Sequence, residues 1–320
     1  MFDPLDGSSN VESGLATGTI FAILRQPSHL AGASPATLLQ RGAKLVAAGY
    51  CLYGAATTLV CSLGHGVQGF TLDDRKGKFI LTHPDLRIPR RGRAVMFNQA
   101  NFATWDQGVK KYITSVRAES FQARLLAEAA AAKVTPAALL TAEAVEESAL
   151  GLEEEGEAGE ATSTAVVEAA AAIGVAAAEA AVETKVAAAL DEIVAGDDEN
   201  GDEALDEEEE EALEQGRNWS FEYSGAFVGD VHALLTQGGG LFGYPADAKN
   251  KDGKLRLLYE SNPMAFLVEQ AGGAATTGRQ RILEVVPSAV HQRVPTFMGS
   301  ADDVYDLSTF LADSTSETSS

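Results

Sequence analysis

Asp3 and Asp6 flank a proline in "MFDPLDGSSN", and a Gly-Ser-Ser run follows at once. Two carboxylates on a rigid Pro-containing turn can present oxygens to one hard cation. Mg²⁺ suits such a site, because it takes oxygen ligands and keeps part of its water. The backbone amides of Gly7, Ser8 and Ser9 would then open a helix and face a phosphate, with the serine hydroxyls as further donors. The same residues also fit a plain Asp-Gly turn followed by an N-cap serine. Spacing alone leaves both readings open.

A second stretch, "LFGYPADAKNKDGKLRLLYESNPMAFLVEQAGG", carries the other candidates. Lys254 and Arg256 follow a glycine turn and lead into an apolar strand. Glu260 ends that strand, and Asn262-Pro263 starts a helix. A lone glutamate between an apolar strand and an apolar helix is expected to be partly buried and to need a partner. The plainer alternative is a solvated glutamate favoured by the helix dipole.

Other patterns fail on context. Gly238, Gly240 and Gly243 match G-x-G-x-x-G, but Tyr244-Pro245 follows instead of a helix, so a dinucleotide site is not expected. "GDDENGDEALDE" has Asp198, Asn200, Gly201 and Glu207 at calcium-loop offsets, yet its first ligand position is Gly196. No G-x-S-x-G elbow of a serine hydrolase occurs. The five histidines are scattered without paired ligand spacing. Cys51 and Cys61 make no disulfide framework and read as buried small residues in a reducing compartment.

Elements must position these residues, and the chain has material for them. Its 320 residues, 45% hydrophobic, allow one large domain or two ordinary ones with a sizeable core. No stretch approaches about 18 consecutive apolar residues, so no membrane span is expected. The start lacks a basic region followed by an apolar run, so it is not a signal peptide. The net charge of -22 is unevenly placed. About 25 of the 46 acids fall between Thr141 and Gln215, and the remainder carries about +2. A neutral domain with an acidic passenger argues against nucleic acid as a partner.

Residues 11–120 read as a mixed α/β domain. "TGTIFAIL" is β-branched and apolar, a buried strand. "QPSHLAGASP" is a loop. "GAKLVAAGYCLYGAATTLVCSLG" holds helix-like and strand-like runs close together. "GVQGFTLDDRKGKFILTH" reads as two strands joined by a turn at residues 73–77. "RAVMFNQAN" is a short strand ending in polar residues. From residue 121 to 216 alanine and glutamate dominate, with strong helix propensity and few large apolar anchors. "DDENGDEALDEEEEEALEQG" is a like-charge block, expected to be disordered or loosely helical. "NWSFEYSGAFVGDVHALL" restores globular texture, and "LADSTSETSS" is a frayed polar tail.

Together these segments resemble class I fructose-1,6-bisphosphatases. The match rests on "FDPLDGSSN", "GTIFAI", "AAGYCLYG", "FTLD" with "GKFILTHPDLRIP", "FNQAN", "VGDVHALL", "GYPADAK", "GKLRLLYESNPMAFLVEQAGG" and "HQRVP". It covers about residues 1–120 and 217–312. The related inositol monophosphatases share Asp-Pro-x-Asp-Gly but lack the Lys-Leu-Arg-Leu-Leu-Tyr-Glu block. Sedoheptulose-1,7-bisphosphatase is the closer rival.

The resemblance implies an α/β fold, a layered α+β sandwich of the sugar-phosphatase type. It implies an N-terminal domain remnant over 1–86 and a C-terminal domain over 87–120 and 217–312. An acidic insertion would occupy 121–216 and a disordered tail 313–320. The implied reaction is Mg²⁺-dependent hydrolysis of the 1-phosphate of fructose 1,6-bisphosphate, with two or more ions and Mn²⁺ as a substitute. Asp3, Asp6 and Glu260 would be catalytic metal ligands, joined by the Leu5 carbonyl. Asp6, Gly7, Ser8, Ser9, Asn98, Tyr223, Tyr244, Lys254 and Arg256 would bind the substrate. A homotetramer is the family's habit, in cytoplasm or plastid stroma, with no membrane or nucleic-acid partner.

Four departures from the family pattern shape the expectations. The family has a helical region with further acidic ligands before the DPLDGSS motif, so this chain is expected to begin mid-domain and to expose apolar surface. The family's arginine just before the tyrosine at position 223, which reaches a neighbouring subunit's 6-phosphate, is Glu222 here. Residues 121–216 replace a short family loop, as a translated intron or as an acidic interaction segment. The region between "GTIFAI" and "AAGY" lacks the cysteines of redox-regulated plastid members, so thioredoxin control is not expected. A non-catalytic truncated homologue with an acidic interaction segment is the competing class.

Overall fold

The computed structural model describes residues 1–26, 35–132 and 217–317. Met1–Arg117 with Trp219–Ser320 make one compact unit, and Ala118–Asn218 a second. The predicted 26–35 loop lies almost wholly outside the described residues, and so does the acidic stretch from residue 133 to 216.

Six strands open the first unit: β1 (Phe2–Asp6), β2 (Thr17–Leu24), β3 (Leu45–Tyr53), β4 (Thr57–Ser62), β5 (Gln68–Asp73) and β6 (Lys78–His83). They pair in chain order as an antiparallel meander. The turn expected at 73–77 joins β5 to β6, with the Gly77 amide donating to the Asp73 carbonyl at 2.8 Å. Next come β7 (Ala94–Phe97), β8 (Ser220–Phe221), β9 (Leu241–Tyr244), β10 (Leu255–Arg256), β11 (Ala274–Thr276), β12 (Arg293–Val294) and β13 (Thr296–Gly299). β10 pairs with β12, and the others form a five-stranded sheet of order β11-β13-β9-β7-β8. That sheet is parallel around β7 and antiparallel beyond β9. The helices are α1 (Gln107–Ala132), α2 (Phe227–Thr236), α3 (Asn262–Gln270) and α4 (Ala301–Glu317).

The apolar pattern dictates the layering. α2 packs on β2, β3 and β9, and α3 on β2, β3, β4, β11 and β13, so both helices lie between the two sheets. Ile20, Tyr50, Val231, Leu267 and Met298 are among the buried residues of that layer. A second cluster joins Val95, Phe97 and Phe297 of the five-stranded sheet to Val109 and Ile113 of α1 and Val304 and Leu307 of α4. The expected α/β sandwich is therefore an alternation of sheet, helices, sheet and helices. The two domain segments expected from sequence pack into one compact unit, because the α2–α3 layer is shared by both sheets.

The outer face of the meander stays open. Register places Thr19, Cys51, Leu59, Phe70 and Leu81 across from one another on it. Ile23 on the same face is 50% exposed, and Phe2, which pairs with Phe21, is 65% exposed. Apolar side chains are thus exposed on this face. The open face also corrects the reading of the cysteines: Cys51 and Cys61 are free but half-buried, because they face away from the helix layer.

Three further expectations change. The helix-like runs of "GAKLVAAGYCLYGAATTLVCSLG" reduce to a single 3-10 turn at Gly42–Lys44; Ala47 and Ala48 lie in β3, where neighbours on both edges complete the backbone hydrogen bonds. The apolar strand before Glu260 is only the two-residue β10, because Leu257–Ser261 winds as a π-helical turn that buries Leu257 and Leu258 together. The tail is not frayed as far back as 313: α4 runs on to Glu317. Ser314 is buried there and donates to the Asp106 carboxylate at 3.3 Å and the Leu311 carbonyl at 3.0 Å.

In the second unit the described part of 121–216 is helical, as the end of α1. The Arg217 amide and guanidinium both donate to Glu119 Oε1, at 3.2 and 3.1 Å. Among the described residues no helix is long and apolar enough to cross a membrane.

Candidate active site

Asp3 and Asp6 lie three residues apart on β1, and in a regular strand such residues point to opposite faces. The pairing of β1 with β2 slips between them: Asp3 sits opposite Ile20, but Asp6 sits opposite Gly18. One extra residue is accommodated at Pro4-Leu5, a bulge that re-aims the second carboxylate. Proline is tolerated there because a bulge makes no demand on its missing donor. The Thr19 hydroxyl pins the Pro4 carbonyl at 2.8 Å. The two carboxylates are thus presented by a bulged strand, not by the free-standing turn inferred from the sequence.

Asp6 is 9% exposed, and its Oδ2 accepts the Val228 amide at 2.7 Å. Val228 lies in the first turn of α2, so Asp6 satisfies an orphan amide at that helix start. Gly7 turns the chain with φ of 75°, and a Cβ there would lie 2.5 Å from the Ala226 Cβ. The segment after it is one 3-10 turn, Ser8–Asn10, with no side-chain cap. The expected helix start is therefore short, and no serine caps it.

Glu260 enters from the π-helical turn, 4% exposed. Its Oε2 accepts the Arg256 amide and lies 3.8 Å from Arg256 Nη1. Ligand oxygens of Asp3, Asp6 and Glu260 all lie within 4.8 Å of one another. Burial, above all, pushes Asp6 up to about 6 and Glu260 up to about 7, and the neighbouring carboxylates push each further. A divalent cation fits this donor set. An ion bound at about 2.1 Å spans ligand oxygens by at most about 4.2 Å, so a contraction of some tenths of an ångström completes the geometry. Its charge would also offset the repulsion that raises both acids.

Asp3, Leu5, Asp6, Gly7, Ser8, Ser9, Tyr223, Tyr244, Lys254, Arg256 and Glu260 line one pocket of ≈ 170 Å³. Lys254 Nζ stands 5.0 Å from the Tyr244 ring centre. Tyr223 and Tyr244 line the same wall, and burial, with Tyr244 beside it, raises Tyr223 well above the usual phenol range. The pocket thus holds both anionic oxygens and two cationic side chains, with Arg256 beside Glu260 and Lys254 beside Tyr244.

Asn98 is not brought there. Its side chain accepts the Ala100 amide at 3.2 Å and caps the 3-10 helix Gln99–Thr104. It lies in a neighbouring cleft that shares only Tyr244 with the pocket. Glu222 is exposed, with its carboxylate taking the Ser220 hydroxyl at 2.7 Å.

Sequence reasoning missed Asp230, which lines the pocket at 3% exposure and is pushed up to about 6 by burial. Its signal was a single carboxylate in the otherwise apolar "FVGDVHALL". It also missed Phe227 and Phe242 in the pocket wall, which the sequence does not separate from ordinary core.

Comparison with known proteins places this geometry in a family. Residues 1–84 match the model described as fructose-1-6-bisphosphatase, N-terminal domain, and residues 177–312 match the C-terminal domain. The chain is 34% identical over 311 residues to "Fructose-1,6-bisphosphatase class 1" of Sulfurihydrogenibium sp., covering 97% of the chain and 64% of that protein. It is 34% identical to the cytosolic fructose-1,6-bisphosphatase of Solanum tuberosum, covering 98% and 64%. The apo crystal structure of Leishmania major fructose-1,6-bisphosphatase superposes with a TM-score of 0.63 at 30% identity, covering 98% of the chain and 71% of that structure. The chain spans a little under two thirds of the length of the curated relatives it matches.

Proposed function

Since this chain belongs to the fructose-1,6-bisphosphatase family, we propose that it hydrolyses the 1-phosphate of fructose 1,6-bisphosphate to give fructose 6-phosphate and phosphate. The observation that carries this is the meeting of Asp3, Asp6 and Glu260 within 4.8 Å in a pocket that also holds Lys254 and Arg256. Asp3, Asp6 and Glu260, with the Leu5 carbonyl, would hold divalent cations, Mg²⁺ by preference and Mn²⁺ as a substitute. Such ions polarise a phosphoryl group, lower the pKa of a bound water and stabilise the leaving oxygen.

The chain's own residues do the rest. The Ser8 and Ser9 hydroxyls and amides receive the equatorial oxygens of the reacting phosphate. Lys254 attracts the distal phosphate, and Tyr223 and Tyr244 orient it by hydroxyl donation, while Arg256 lines the same pocket 3.8 Å from Glu260. Asn98 joins them only if its cap on the Ala100 amide is released. Cations held by the three carboxylates would supply Lewis-acid chemistry to the phosphate nearer them, while the other phosphate would be held by Lys254 and the tyrosines. Cytoplasm and plastid stroma both suit this chemistry, and a homotetramer is the expected assembly.

The spectrum of ³¹P nuclei during turnover tests this. Purified chain with Mg²⁺ and fructose 1,6-bisphosphate should lose the 1-phosphate resonance while the 6-phosphate persists in the product. Loss of both resonances together, faster turnover of sedoheptulose 1,7-bisphosphate, or a stable bound bisphosphate without turnover would each reject it. The last outcome would favour a binding-only homologue.

A further inference from the structure

We infer that Asn10 and Asp230 clamp the Ser224 residue from two sides and so act as positioning residues for Tyr223; this rests on the sugar-bisphosphate reading above. The Ser224 amide donates to Asp230 Oδ1 at 2.8 Å. The Ser224 carbonyl accepts from Asn10 Nδ2 at 3.1 Å. Both backbone groups of one loop residue are therefore held by side chains. Those side chains are 7% and 3% exposed, whereas Ser224 and Gly225 are exposed. Burying a polar group costs free energy unless it is hydrogen-bonded, and here two such groups are directed at one surface residue.

The anchoring of the clamp is itself rigid. Asn10 also donates to the Ala16 carbonyl at 3.2 Å, and its amide closes the 3-10 turn onto Gly7 at 2.8 Å. Asp230 stands on α2, the helix whose first turn is bonded to Asp6. Gly225, next in the loop, has φ of 81°, and a Cβ there would meet Asn10 Oδ1 at 3.4 Å.

The consequence falls on Tyr223, one residue before the clamp. Its side chain lines the pocket together with Tyr244, and a loop free to move would lose that placement. Asn10 belongs to the same turn as Ser8 and Ser9. The clamp therefore fixes the span between the residues that receive the reacting phosphate and the tyrosine that receives the distal one. Binding energy rises when such placement is made before the ligand arrives.

The variants are Asp230→Ala, Asn10→Ala and the isosteric Asn10→Asp, which loses the donor. Asp230→Asn keeps an oxygen acceptor for the Ser224 amide and serves as rescue. Fructose 6-phosphate affinity by calorimetry should weaken about tenfold in the first three, the scale of one well-placed interaction. It should stay near wild type in Asp230→Asn. KM for the bisphosphate should rise in step, with kcat within about threefold. In a Tyr223→Phe background, adding Asp230→Ala should weaken binding less than about twofold further, since both act through one side chain.

Additive losses in that cycle, or kcat falling with KM unchanged, would overturn the inference. Hydrogen exchange of the Ser224 amide separates this from the parent reading, because it needs no ligand. Faster exchange in both alanine variants is expected even if wild type binds no sugar phosphate, and unchanged exchange refutes the clamp outright. Asp230→Asn and Asn10→Asp decide the matter should an alanine variant fail to fold.

Discussion

Gly7 carries two constraints at once. Its left-handed backbone is costly for any residue with a Cβ, and the added atom would collide with Ala226 at 2.5 Å. Gly7→Ala is expected to cost about 2–4 kcal/mol, a fall in Tm of about 5–15 °C by thermal melting. An unchanged Tm would mean that β1 and α2 separate freely. Residue types made Asp3, Asp6 and Glu260 legible, because carboxylates stand out beside glycine, proline and apolar runs. Asp230 and Asn10 stayed hidden for the opposite reason. Their roles depend on Ser224, and in the case of Asn10 that partner lies 214 residues away. Asn98 was ambiguous: a polar residue after a strand fits a binding loop and a helix cap equally, and its Oδ1 caps the Ala100 amide.

At the scale of elements, the bulge in β1 is what makes two strand residues three apart into neighbours. Inserting one alanine after Leu5 should part the two carboxylates: with the bulge kept they face opposite ways, and with regular pairing they lie about 13 Å apart along one face. The expected outcome is a chain that still melts cooperatively but gains no Tm from millimolar Mg²⁺, because three converging ligands become two. Persistence of the Mg²⁺ effect would remove the bulge from the account. Strands were the most legible elements. "TGTIFAIL", "GFTLD" and "KFILTH" are β-rich runs bounded by turn residues, and they formed β2, β5 and β6. The mixed run "GAKLVAAGYCLYGAATTLVCSLG" was less legible, because alanine favours helices in isolation, whereas sheet neighbours on both sides of β3 decide its state here. Likewise nothing in "LRLLYES" announces a π-helical turn; the burial of two consecutive leucines requires it.

For the whole molecule, three buried acids set a pH dependence. Burial pushes Asp6 and Asp230 up to about 6 and Glu260 up to about 7, from ordinary values of 3.8, 3.8 and 4.5. Between those limits the folded chain binds more protons than the unfolded one, so stability is present below about pH 4 and is lost as pH rises through 6–7. With chelator present, Tm should be lower near pH 7.5 than near pH 5.5, and Mg²⁺ should narrow the gap by favouring the charged forms. A Tm that rises with pH in the absence of metal would contradict this. The layered fold was readable from motif order and hydrophobic pattern. The sharing of α2 and α3 by both sheets was not, since it depends on contacts between distant segments.

The most direct test is phosphate release from fructose 1,6-bisphosphate by the 320-residue chain, with and without Mg²⁺, beside Asp6→Asn and Glu260→Gln. The account predicts Mg²⁺-dependent release that falls at least about a hundredfold in each variant, the scale of losing a group that stabilises transition-state charge. Release that ignores Mg²⁺, or that survives in either variant, would place the chemistry elsewhere and contradict it.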